Sequence, residues 1–180
     1  MKYPELSMGT MEAIVNKLGG MDGVRRFLAE YFRETGEFTV QIPALVRPTL
    51  TELQEKYPWI DRIESDTSPT EAVRLELGTV LRPDEERIDS KEYQLRRAPL
   101  AGRLHGYQQL VWLVKNQDEH PAFKALLGLI YIDGPGMVVV RADGSRYFPY
   151  LDEYGRRWGL HWDGAGGGLS RGGRLAASGK

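Results

Sequence analysis

From Gly128 onward the chain alternates short apolar or aromatic runs with glycine-bearing turns, and that rhythm restricts its fold more than any other feature. The runs are LIYID, MVVVR, RYFPYL, RWGLHW and RLAAS; between them lie DGPG, ADGS, DEYG and DGAGGGLSRGG. β-Branched and aromatic side chains favour the extended chain, and pairs such as Asp143-Gly144 supply the positive-φ positions that tight hairpins need. The pattern predicts an antiparallel meander over residues 128–180, each run paired with the next. In a strand alternate residues share a face, so Trp158, Leu160 and Trp162 point one way while Arg157, Gly159 and His161 point the other. The first set suits packing under a helix, where each large aromatic withdraws roughly 150–250 Å² from water. The second set is the wet one.

Upstream the spacing turns helical. Met11, Ile14, Val15 and Leu18 recur at i, i+3, i+4 and i+7 before Gly19-Gly20, and Val24, Phe27, Leu28, Tyr31 and Phe32 repeat that spacing behind Asp22, a helix-capping residue. These stretches predict a helical hairpin over residues 1–36. FTVQIPALV reads as a short strand confined by Pro43, and Thr49 with Glu52 forms a capping box ahead of TELQEKY. Alternation of Val73, Leu75 and Leu77 predicts a strand over 72–81, with Ser68-Pro69 as its turn. Asp89 and Glu92 open a longer stretch in which Leu104, Tyr107, Val111 and Val114 share a face, so a long central helix kinked at Pro99 is expected, followed by a short helix in PAFKALL. The fold class expected is α+β. It is a single domain over 1–180 made of the hairpin, a mixed helical region over 37–127 and the C-terminal meander packed by the central helix.

Composition bears mainly on function. Of 180 residues 41% are hydrophobic and 27% charged, ordinary for a globular chain, and no cysteine is present, which removes disulfides, thiolate nucleophiles and cysteine-held zinc or iron–sulfur clusters. The formal charge is −1, far from the basic footprint of a duplex-DNA binder. No apolar run approaches a secretory signal or a membrane span, so a cytoplasmic protein that does not insert into membrane is expected.

Most familiar chemistry is missing. DGAGGGLSRGG has no Gly-Lys-Ser/Thr ending to cradle phosphate, there is no nucleophile elbow, and three histidines without helical i, i+4 pairing leave few ways to hold a metal. No cofactor, metal site or catalytic residue is assigned. The helix–Gly-Gly–helix could be read as a groove reader, but Glu30 and Glu34 interrupt the basic face made by Arg25, Arg26 and Arg33. What stands out is the wet face of the meander, where Arg146, Phe148, Tyr150, Arg157 and His161 would lie side by side. Arginines beside aromatic rings suit a protein interface, which makes a non-catalytic module contacting another protein the leading expectation. Stacking of single-stranded nucleic acid on the same face is the alternative, and a small hydrolase centred on His105 or His161 comes third.

AIVNKLGGMDGVRRFL, LELGTVLRP, GYQQLVWLVKNQDEHPAFKALLG, LIYIDGPGMVVVRADG and RWGLHW together resemble a group of uncharacterised bacterial hypothetical proteins, over most of the chain. The resemblance implies no activity, cofactor or partner, only that these parts belong to one unit.

Overall fold

The structure is a computed structural model that describes residues 8–20, 23, 24, 27 and 38–179. Its helices are α1 (Met8–Lys17), α2 (Leu50–Lys56), α3 (Ser90–Arg97), α4 (Tyr107–Lys115) and α5 (Pro121–Ala125). Its strands are β1 (Thr39–Ile42), β2 (Ile60–Asp66), β3 (Val73–Gly78), β4 (Arg87–Ile88), β5 (Tyr131–Asp133), β6 (Met137–Arg141), β7 (Arg146–Tyr154), β8 (Arg157–Gly164), β9 (Leu169–Ser170) and β10 (Gly173–Ser178). Helix α1 stops at Gly19 and Gly20, both at positive φ; most of the second helix expected after them lies outside the described residues. The Thr49–Glu52 capping box forms, each side chain bonding the other's backbone N–H, and Tyr57 closes α2.

Eight strands make one mostly antiparallel sheet in the order β1-β3-β10-β5-β7-β6-β2, with β8 on the far side of β7. The expected chain of hairpins fails at DGPG. β5 pairs with β7 opposite Tyr150 and Leu151, β6 pairs with β7 opposite Arg146 and Tyr147, and β8 runs along β7 from Tyr147 to Tyr154. A strand has two edges, so β5 and β6 lie end to end on one of them, a single strand interrupted at Gly134-Pro135-Gly136. Pro149 of β7 sits opposite the interruption, its C=O accepting from Gly134 N–H at 2.8 Å. A proline is tolerated in this central strand because the neighbouring strand has no ladder acceptor there for an N–H to meet.

At the interruption the sheet forks. One limb continues from β5 through β10 and β3 to β1, with β10 parallel to β5; the other passes from β6 to β2. Residues 104–106 run into the fork and tie both limbs together. His105 N–H donates to Ala176 C=O of β10 at 2.9 Å, Gly136 N–H donates to His105 C=O at 2.8 Å, and Thr67 N–H, just past β2, donates to Gly136 C=O at 2.8 Å. Leu104 adds a β-bridge to Ala177.

This contact overturns the expected α+β arrangement with its long kinked central helix. The stretch divides into α3, a 3-10 turn at Ala98–Arg103 with Pro99 near its start, the extended residues 104–106, and the separate helix α4. Pro99 removes one helical hydrogen bond, and the backbone of 104–106 satisfies its donors and acceptors across the sheet instead of along a helix. Among the described residues the five helices are all short, and the large sheet is the main element.

Both faces of the sheet are covered. On one, α4 and α5 bury Leu110, Leu113 and Phe123 against Ile132, Leu151 and Trp158. The fully buried apolar residues of α4 are therefore Leu110 and Leu113; Val114 packs at the margin of this core, and Val111 lines a surface groove. On the other face, α3 and the small β4–β9 ribbon enclose Tyr93, Phe148 and Leu175. Trp158 is fixed from three sides: its ring stacks on Phe123 at 4.8 Å, its indole N–H donates to Phe123 C=O at 3.0 Å, and its backbone N–H donates to the Gln117 side chain at 2.9 Å. Strand β2, unmarked in the sequence, is largely exposed and charged, as suits an edge.

A Cβ on Gly136 would stand 2.7 Å from the carbonyl carbon of His105, whereas one on Gly164 would meet nothing within 4 Å. Gly136→Ala should therefore cost about 1–3 kcal/mol of stability in a urea titration, with Gly164→Ala close to neutral; equal midpoints for the two variants would remove the fork contact as a determinant of stability.

Candidate binding site

The described surface carries one concentration of half-buried aromatic rings, on the face of the sheet opposite the one that sequence alternation singled out. Tyr57 ends α2, Trp59 follows it, Tyr107 opens α4, and Tyr147 and Trp162 come from β7 and β8. Trp59 packs edge-on against Tyr147 at 5.2 Å and Trp162 at 5.7 Å, Tyr57 packs edge-on against Trp162 at 5.4 Å, and Tyr107 stacks on Trp162 at 5.8 Å. Beneath them lie Leu53, Ile60, Met137 and Val139, all buried. The rings fill one another's edges, so they form a rigid wall and not a hollow cage. The wall borders an open cleft of about 440 Å³ reached also by Arg141, Leu160 and His161. The indole N–H of Trp162 is buried and has no hydrogen-bond partner.

Three consecutive residues, Leu160, His161 and Trp162, line this cleft, although neighbours in a strand point to opposite faces. The cleft therefore extends from the face that carries Tyr147 and Trp162 to the outer edge of β8. Among the described residues β8 pairs only with β7. Along an antiparallel strand the backbone N–H and C=O of successive residues turn alternately to one edge and the other. Trp162 is opposite Pro149, whose polar backbone side faces the interruption, so the N–H and C=O of Trp162 face outward, as do those of Leu160 and Trp158. The Gln117 carboxamide takes up those of Trp158. Among the described residues, no bond outside the ladder engages the backbone groups of Leu160 or Trp162.

The residues chosen from the sequence do share the second face. Tyr150 lies directly opposite His161, with ring centres 5.7 Å apart, and Tyr154 lies opposite Arg157 and packs edge-on to His161 at 5.8 Å. Phe148 is on the same face but only 1% exposed, inside the core beneath α3. Arg146 Nε donates to Glu64 at 2.6 Å and Arg157 Nη2 to Asp118 at 2.6 Å. The structure thus brings together Tyr150 and His161, sends Phe148 inward, and pairs both arginines with carboxylates. Tyr57, Trp59, Tyr107 and Arg141 were missed. The signal available was the YPW of residues 57–59 directly after a capped helix, but nothing in the sequence joins it to Trp162.

Two buried polar groups lie apart from this surface: the Tyr93–Asp133 pair, which escaped the sequence reading, and His105, which it named. Tyr93 O–H donates to Asp133 Oδ2 at 2.6 Å, both residues being almost wholly enclosed, and the Arg97 guanidinium lies over the rings of Tyr93 and Phe148. Burial pushes the Asp133 carboxyl up to about 7, partly offset by the Tyr93 hydrogen bond. His105, fully buried, sits with Nε2 3.2 Å from Ser178 Oγ, while its Nδ1 has no partner. Burial lowers this imidazole to about 4. A histidine next to a serine, with no carboxylate to orient it, is a pair and not a catalytic triad. Among the described residues no group of three or more histidines and carboxylates is placed to hold a metal ion, and no helix is long and apolar enough to cross a membrane.

The two titrations oppose each other. Asp133, raised above its ordinary 3.8, contributes stability at low pH that is lost as pH rises through about 7. His105, lowered from 6.5, contributes stability at high pH that is lost as pH falls through about 4. Between about pH 4 and 6.5 they partly cancel. Asp133→Asn keeps an acceptor for Tyr93 and removes one of the opposing slopes, so its urea midpoint should fall on acidification through that window more steeply than that of the unsubstituted protein. Parallel profiles would show that Asp133 does not titrate this way. Compared with protein-family models, curated proteins and solved structures, the chain matches none.

Proposed function

We propose that this protein is a non-catalytic module that binds an extended segment of a partner protein along the outer edge of β8, beside the aromatic cleft. The observation that supports the reading is the coincidence of two features at Leu160 and Trp162: outward-facing backbone donors and acceptors, and side chains that line a cleft walled by Tyr57 and Trp59. Strand addition supplies affinity through main-chain hydrogen bonds, and adjacent pockets select alternate side chains. Half-exposed tryptophans and tyrosines with one arginine at the rim match the composition of binding hot spots. The nucleic-acid reading has less behind it, since Phe148 is buried, Arg146 and Arg157 are paired with carboxylates, and the chain is slightly acidic.

Selection from a displayed random-peptide library provides the test. The peptides enriched should carry apolar residues at alternate positions. Trp162→Ala should weaken them by about 2 kcal/mol or more, roughly 30-fold. Leu160→Pro removes an N–H that faces outward and leaves the β7 ladder intact, so it should abolish capture while the circular dichroism of the fold is retained. Peptides held equally by both variants, or no enrichment at all, would refute the proposal.

A further inference from the structure

A second groove, of about 400 Å³, lies between α4 and the segment that leads into α2. One face of α4 forms its wall: Gln108, Val111, Trp112 and Lys115, at i, i+3, i+4 and i+7. Leu45, Val46, Leu53 and Lys56 face them. The stripe of α4 that would ordinarily be solvated is thus built of an amide, an aliphatic residue, an indole and an ammonium group in sequence.

Three details give the groove a chemical preference. First, Gln108 is 7% exposed, yet neither its Nε2 nor its Oε1 has a hydrogen-bond partner. A buried carboxamide without partners is costly, and because it holds no bonds its side chain can turn toward an occupant without breaking any. Second, the charges at the mouth are unequally engaged. Glu52 is held by the Thr49 N–H and hydroxyl at the start of α2, and Arg47 donates to Ser68 C=O at 2.8 Å, while among the described residues neither Lys56 nor Lys115 forms an ion pair, Lys56 having only the Tyr57 ring beside it. Third, the spacing from Gln108 to Lys115 is seven residues, about 10 Å along the helix, with the half-buried Trp112 between them.

We propose that this groove is a binding site for a purine nucleoside monophosphate, the base lying against Trp112 with its edge toward Gln108 and the phosphate between Lys56 and Lys115. A carboxamide offers one donor and one acceptor side by side, the complement of the N6/N7 edge of adenine. The indole supplies stacking; the Lys115 ammonium, together with that of Lys56, which lies 5.5 Å over the Tyr57 ring, supplies the counter-charge. The volume falls within the range of small-molecule sites. The groove adjoins the β8 cleft at Tyr107, which lines the groove and stacks on Trp162, but Gln108, Trp112 and Lys115 lie outside that cleft.

The test is calorimetric titration of the whole protein with AMP, with adenosine and ribose 5-phosphate as partial probes. AMP should bind with a salt-dependent affinity at least about tenfold above that of either fragment. Lys115→Glu, an exposed change that leaves the fold intact, should weaken AMP about tenfold and leave adenosine unchanged. Gln108→Leu, which deletes the unpartnered amide from the interior, should weaken AMP and adenosine alike and not ribose 5-phosphate. Ribose 5-phosphate binding as tightly as AMP would reduce the groove to a simple anion patch and overturn the proposal. So would AMP affinity unaffected by Gln108→Leu, or absence of AMP binding at millimolar concentration.

Discussion

The fold depends on a backbone contact where two glycines allow close approach. Gly136 N–H bonds to the carbonyl of His105, and the absence of a Cβ on Gly136 and on Gly106 lets the 104–106 segment lie directly on the broken β5–β6 strand. From this contact follow the division of the sheet into two limbs, the end of the α3 region, and the start of α4 at Gly106. It also places His105 where water cannot reach it, with Asp133 at the opposite end of the same interruption. Two ionisable groups are thus enclosed beside the seam, with opposite responses to acid.

The interruption also determines how the aromatic residues are distributed. Pro149 needs no acceptor because it faces the gap, and its alignment opposite Trp162 turns the backbone groups of Leu160 and Trp162 away from the sheet. The same register sends Trp158 into the core and leaves Trp162 half covered by Tyr107. Two tryptophans four residues apart therefore have different duties: one anchors α5 through ring stacking and its indole N–H, the other forms part of a surface wall.

The local features of the fold are legible in the sequence. The Thr49–Glu52 cap, the glycine stop of α1, the strand at 73–78 and the inward side of Trp158 and Leu160 all follow from rules that act within a few residues. What escaped was non-local. DGPG reads as a hairpin turn because turn residues look alike whether the chain reverses or merely breaks its ladder and goes on, and only the pairing with β7 distinguishes the two. The central helix was overextended because the acceptor for the His105 N–H lies on β10, far along the chain, while periodicity registers only neighbours. β2 carried no alternation because an edge strand need bury few of its side chains. For the site, alternation grouped Tyr150 with His161 correctly but could not reveal α3 lying over Phe148, nor α2 bringing Tyr57 and Trp59 to Trp162.

β10 lies between β3 and β5, although it comes last in the chain. Among the described residues the β1–β3 pair has no other neighbour in the sheet, so it is joined to the remaining strands through β10. Without β10 the backbone N–H and C=O groups on that edge of β3 would have no ladder partner. The sheet is thus closed by pairings between residues far apart in sequence, the class of contact whose loop-closure entropy must be met before it contributes stability.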